Sequence, residues 1–197
     1  MTYLLQALFT IVQMAFGLYL TLVMLRFLLQ SVRADFYNPI SQIVVKLTGP
    51  PLRWLRRFIP GYAGIDWPCL ALLFMVQGLE LVLLAILLTG HLPNLAALAV
   101  LCVAHLLQLG IWVYIICVTI AVVISWVNPH AYNPATVLIY QLTDPVLSRI
   151  RKHLPDTGGL DLSPMVLMLA GFLLQSLLVA PLLDWGNILN GISMRIL

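Results

Sequence analysis

Tyr37–Asp66 reads YNPISQIVVKLTGPPLRWLRRFIPGYAGID, and Tyr132–Asp161 reads YNPATVLIYQLTDPVLSRIRKHLPDTGGLD. The two stretches align without a gap at an offset of 95, and eleven of 30 positions are identical. Chance supplies roughly two identities at ordinary residue frequencies. The matches include Asn38/Asn133, Pro39/Pro134, Thr48/Thr143, Pro50/Pro145, Arg56/Arg151, Pro60/Pro155, Gly64/Gly159 and Asp66/Asp161. These are cap, turn and charge residues, so shared apolar composition does not explain them. The chain is a tandem duplication, with one repeat over 1–90 and the other over 91–197.

The 197 residues are 62% hydrophobic and 9% charged, with mean hydropathy +1.03. A soluble domain carries about a quarter charged residues. So few cannot build a hydrated surface, and the solvent for most of this chain is lipid. Four apolar stretches have spanning length, at about 4–30, 68–88, 95–127 and 164–183. The 33 residues of 95–127 fit either one long tilted helix or a broken one. The amino-terminal MTYLLQALFT has no basic n-region, so no cleaved signal peptide is expected.

Each repeat is therefore span, basic connector, span. Two spans per repeat return both connectors to one side, which makes the repeats parallel about an axis along the membrane normal. Eight of the ten Lys and Arg lie at 33–57 or 149–152. Short Lys/Arg-rich loops stay cytoplasmic. Parity and charge thus agree on cytoplasmic connectors and periplasmic termini. With no basic domain outside the lipid, the positive charge is a topological signal and not a nucleic-acid surface.

Asn before Pro is a helix start: Asn accepts from free backbone N–H groups, and Pro wastes none. Gly49-Pro50 and Asp144-Pro145 repeat that pattern, so two short helices are expected in each connector. The second carries Leu52, Leu55 and Ile59, or Leu147, Ile150 and Leu154, on one face. Its bases lie mostly off that face, which suits an amphipathic helix among anionic headgroups. Pro60 and Pro155 stop the helix, Gly64 and Gly159 allow a turn, and Asp66 or Asp161 can cap the next span. Such a connector serves either as a docking platform or as a structural corner.

The same offset equates Gln13 with Gln108 and Glu80 with Gln175. At about 1.5 Å per residue, Gln13, Glu80, His105, Gln108 and Gln175 fall within roughly 8 Å of one depth. Glu80 is expected to be protonated or partnered, with His105 and the glutamines available. This polar layer is either a cation or proton site, or hydrogen-bonded glue between helices. Arg26, one turn inside its span, is expected to snorkel to the interface.

Cys69, Cys102 and Cys117 stand in apolar runs without metal or disulfide spacing. The four histidines are scattered, and no phosphate loop or nucleophile motif occurs. No enzyme activity, metal or cofactor is expected.

Asn-Pro, then Thr-x-Pro ten residues after the Asn, then Arg, Pro and Gly-x-Asp, resembles the YggT family of small integral membrane proteins. Both copies carry the pattern, although Gly49 stands where the second has Asp144. The resemblance implies a bacterial inner-membrane protein in the two-repeat form, with plastid relatives in thylakoids. It also brings associations with osmotic-stress tolerance, cell division and, in plastids, haem attachment during cytochrome assembly. It supplies no catalytic residues. Two functions follow as expectations: a membrane scaffold or assembly factor joined to a membrane partner or a second copy, or an ion-conducting unit.

Overall fold

The Asn-Pro pairs cap helices as their chemistry requires. In the computed structural model, which describes residues 3–62, 64–128, 133–155 and 161–191, Asn38 Oδ1 accepts from Ile40 N at 2.9 Å. Asn133 Oδ1 accepts from Thr136 N at 2.9 Å, and Thr136 Oγ1 accepts from Asn133 N, which closes a capping box. The helices that follow are α2 (Pro39–Phe58) and α5 (Pro134–Arg151). The spans are α1 (Tyr3–Ser31), α3 (Trp67–Thr89), α4 (Leu95–Val127) and a last one made of α6 (Ser163–Leu174), a π-helical turn (Gln175–Val179) and α7 (Ala180–Leu189). Helices and turns account for the described residues, with no strand among them. Tyr132, Gly159 and His130 lie outside the described residues.

Two boundaries differ from the sequence reading, and one alternative it left open is resolved. Each connector holds one helix, not two: α2 runs through Pro50 and Pro51, and α5 through Pro145. Each proline withholds one backbone donor, yet the helix continues on both sides of it. A buried threonine precedes Pro50 and Pro145 by two residues: Thr48 Oγ1 donates back to Val44 O at 2.6 Å, and Thr143 Oγ1 to Ile139 O at 2.9 Å. Those carbonyls already serve the helix, so the bonds satisfy the buried hydroxyls and do not replace what proline removes. The candidate break in 95–127 does not occur, and α4 is continuous at about 50 Å, longer than the roughly 30 Å hydrocarbon core. The last span continues past residue 183 to Leu189. Pro181 withholds one backbone donor there, and the chain answers with a π turn, in which Ala180 N reaches back to Gln175 O.

The repeats sit side by side with both connectors at one end. Asn38 Nδ2 donates to Pro134 O at 2.7 Å, and Asp35 N donates to Gln141 Oε1 at 3.0 Å. At the other end, Asn94 N donates to Asn190 Oδ1 at 3.0 Å, so the inter-repeat link meets the end of α7. Gly90 turns that link in the left-handed region, at φ +72°.

The main core joins Leu20, Val23 and Met24 of α1 to Leu52 of α2, Leu72 and Leu73 of α3, and Leu106 of α4. Leu52 and Leu147 are thus buried within the protein, not laid into the acyl boundary as their spacing suggested. A lesser cluster packs Leu29 and Ala34 against Leu138 of α5.

Helix approach in lipid depends on small residues. Gly171 faces Ile115, and Gly186 faces Leu101 so closely that a Cβ would lie 2.6 Å from Leu101 Cγ. Gly186→Ala should therefore destabilise the fold by about 1–3 kcal/mol, as overpacking does. In a Leu101→Ala background, itself destabilised by loss of a buried side chain, Gly186→Ala should cost less, because the space the new methyl needs is vacant. Reversible unfolding in mixed micelles measures the cycle; an equal cost of Gly186→Ala in the two backgrounds would contradict the packing described here.

Candidate functional site

The repeated motif residues converge on the connector end of the bundle. After α2, Pro60 and Gly61 leave the helix, and Gly64 reverses the chain at φ +78°, with Ile65 N bonded to Tyr62 O at 3.1 Å. That turn brings Asp66 back to Arg56, whose Nη2 lies 2.7 Å from Asp66 Oδ2. Asp66 also caps α3 by accepting from Cys69 N at 3.4 Å. The second copy repeats the design. Arg151 Nη2 and Nε both donate to Asp161 Oδ2, the latter at 3.2 Å. Asp161 Oδ1 accepts from Ser163 N at 2.9 Å and Ser163 Oγ at 2.6 Å. The Arg151 guanidinium, helped by Ser163, holds the Asp161 carboxyl down at about 2, and Asp161 raises Arg151 in turn.

Arg56 and Arg151 are therefore closures of the connector and not free charges for a partner. The outward bases are Arg53, Arg57, Arg149 and Lys152, all exposed. Arg57 stacks its guanidinium 5.7 Å from the Trp54 ring centroid. Trp54 and Phe58 are exposed beside them, as are Ile43 and Leu47, about three and two turns before Trp54 on α2.

The intramembrane polar residues do not form one network. Glu80 is buried, and its carboxylate accepts from Gln77 Nε2 at 3.0 Å, one turn back on α3. Gln77 was missed in the sequence because it has no counterpart in the other repeat, where Phe172 stands. His105 interacts with Gln108 of its own helix. Gln13 is exposed on α1, and Gln175 Oε1 is buried without a hydrogen-bond partner. No hydrogen bond joins Glu80 to His105 among the described residues. Nor do three His, Cys, Asp or Glu side chains gather about one point among those residues.

Arg26 departs from the sequence expectation as well. It is 5% exposed and reaches inward to α2, where Nη1 donates to Thr48 Oγ1 at 2.7 Å and Val45 O at 3.2 Å. Between the spans lies an apolar cleft of about 600 Å³, lined by Met24, Phe27, Phe74, Tyr114, Leu167 and Gly171 among others.

The family model for CCB3/YggT matches residues 5–87 and 100–182, the segments that contain the two connectors and their Arg–Asp bridges. The chain belongs to the CCB3/YggT family. The two matched segments keep the offset of 95 read from the sequence. An uncharacterized protein of Pseudomonas aeruginosa is 42% identical over 180 residues, covering 86% of each chain. An uncharacterized protein of Vibrio alginolyticus is 35% identical over 155 residues, covering 78% of this chain and 83% of its own. The uncharacterized protein YggT of Escherichia coli K12 is 33% identical over 172 residues, covering 87% of this chain and 89% of its own. No solved structure matches the chain.

The two bridges of this CCB3/YggT chain differ in burial, which fixes their expected worth. The Asp66 side chain is 3% exposed and Arg56 45%. Arg56→Gln strands a buried carboxylate and should cost about 1–3 kcal/mol, after discounting for the wet arginine. Arg151 and Asp161 are 55% and 38% exposed, and Arg151→Gln should cost no more than about 1 kcal/mol. Because the folded Asp161 pKa is depressed, its contribution is complete above about pH 4 and fades as pH falls toward 2. Arg151→Gln should move the Asp161 midpoint up toward the unperturbed value of about 3.9. Carboxyl-carbon NMR titration and micellar unfolding test this; an equal stability loss in the two variants would refute the burial assignment.

Proposed function

We propose that the chain works without catalysis, as a scaffold or assembly factor in a bacterial inner membrane, with both connectors toward the cytoplasm. One observation carries the reading. The connectors are joined to each other by Asn38–Pro134 and Asp35–Gln141, and each is locked to its following span by an Arg–Asp bridge. The result is a braced plate at one end of the bundle. Its outward face presents Arg57, Arg149, Lys152, Trp54 and Phe58. Bases interleaved with aromatics suit a membrane-associated partner with acidic and apolar contacts. The clustering of Lys and Arg in these connectors supports a cytoplasmic plate. An envelope process such as osmotic-stress tolerance or cell division is the setting this role would serve.

A second reading, ion conduction, draws on the buried Gln77–Glu80 pair. Flux through purified protein in liposomes, compared with Glu80→Gln, separates the two: gradient-driven flux that the substitution removes would favour conduction.

Two measurements test the scaffold. Cysteine placed at Arg57 or Arg149, with the three native cysteines replaced, should react with a membrane-impermeant maleimide only after the cells are opened. Labelling of sealed cells at either position would reverse the topology. Crosslinking in native membranes should capture one reproducible partner, or a second copy. Arg57→Gln/Arg149→Gln/Lys152→Gln should reduce that capture about a hundredfold, at roughly 1 kcal/mol for each of the three rim charges. Undiminished capture by this variant would remove the plate as the docking face.

A further inference from the structure

Where the end of α1 meets α2, a cavity of about 710 Å³ opens, and Arg26, Lys46, Arg53 and Arg56 all line it, with Gln30 and Gln42. No Asp or Glu is among its lining residues. Asp66 is paired with Arg56, which leaves Arg26, Lys46 and Arg53 without a carboxylate in bonding contact among the described residues. Arg26 is the sharpest case. It is 95% buried, its two acceptors are a hydroxyl and a peptide carbonyl, and its Nε has no acceptor. Neutral acceptors orient a guanidinium but do not cancel its charge, and a desolvated cation without a counter-charge is unfavourable.

The second repeat shows that the scaffold does not need this charge. At the offset of 95, Arg26 becomes Ala121, Lys46 becomes Gln141 and Arg53 becomes Ser148. The residues that build the bend and the bridge (Thr48, Pro50, Leu52 and Arg56) are retained as Thr143, Pro145, Leu147 and Arg151. Three of the four cations are thus added to one copy of a common frame.

We propose that this cavity binds a phosphate-bearing anion, either the headgroup phosphate of an anionic phospholipid or free phosphate. A phosphate offers several acceptor oxygens and a formal negative charge, which guanidinium and ammonium groups meet with charge-assisted hydrogen bonds. The cavity lies at the end of a span, where lipid phosphates are found. The inference rests on the connector lying at the membrane surface and is independent of the scaffold role.

Native mass spectrometry of the full chain, released from micelles doped with phosphatidylglycerol or phosphatidylcholine, tests it. Phosphatidylglycerol should be retained in preference to phosphatidylcholine. Lys46→Gln/Arg53→Gln, which alters two exposed side chains, should weaken that retention about thirtyfold, at roughly 1 kcal/mol per surface base. Arg149→Gln/Lys152→Gln removes equal charge from the other connector and should weaken it far less. Millimolar inorganic phosphate that displaces the lipid identifies a free-phosphate site; lipid that resists displacement identifies the headgroup as occupant. Equal retention of the two lipids with no adduct of inorganic phosphate, or equal loss in the two double variants, overturns the proposal.

Discussion

A polar group drawn below the headgroups has no water to fall back on, so a buried charge there needs a partner, from the chain or from outside it. The Arg56–Asp66 bridge is where this constraint acts most strongly. Asp66 must be present to cap α3, whose first N–H groups enter the bundle interior. Once there, it is a nearly dry carboxylate, and only a cation can hold it. The left-handed turn at Gly64 and the stop at Pro60 return the chain far enough for Arg56 to supply that cation. Cap, turn, stop and base therefore form one unit. Losing any member exposes the others to the cost that the unit exists to avoid.

A common frame does not make the repeats equivalent. In the second connector, Leu138 and Leu142 are buried, with Leu138 packed against the end of α1. Their counterparts in the first, Ile43 and Leu47, are exposed. The same helix thus serves as an internal strut in one repeat and as an outward face in the other. Helix α2 combines that apolar stripe with Trp54, Phe58 and the added bases. One copy keeps the fold closed while the other is free to meet lipid or protein, a division of labour that a duplication makes available.

Much of this was legible beforehand because the informative residues have strong local chemistry. Asn before Pro, glycine at a left-handed turn and lengths of unbroken apolar sequence act within a few residues of themselves. The Thr-x-Pro pair misled for a related reason. Proline alone signals an end, but α2 and α5 run on through it with Thr48 and Thr143 fully buried, an outcome of tertiary packing that local sequence does not state. Arg56 and Arg151 were visible as bases, yet their acids lie ten residues on, beyond a turn whose closure the sequence does not state. Arg26 was misplaced because spacing gives depth along a helix and not direction around it. Its inward aim follows from Thr48 and Val45, neither of which is near it in the chain.

The buried carboxylate shows how far repeat comparison can carry an inference. In the slot of Glu80 the second repeat has Gln175, and in the slot of its donor Gln77 it has Phe172. Phe172 packs edge-on to Trp112 at 6.3 Å, so the polar pair of one repeat is replaced by an aromatic contact in the other. Both members of the pair have changed together. A hydrogen bond between helix neighbours three residues apart stays within α3 and joins it to nothing else. Interhelical glue would have to cross to a second helix, and Gln77–Glu80 does not. Its presence in one repeat alone is therefore unexplained by packing, which makes Glu80, like Arg26, an ionisable group within a span that the common frame itself does not require.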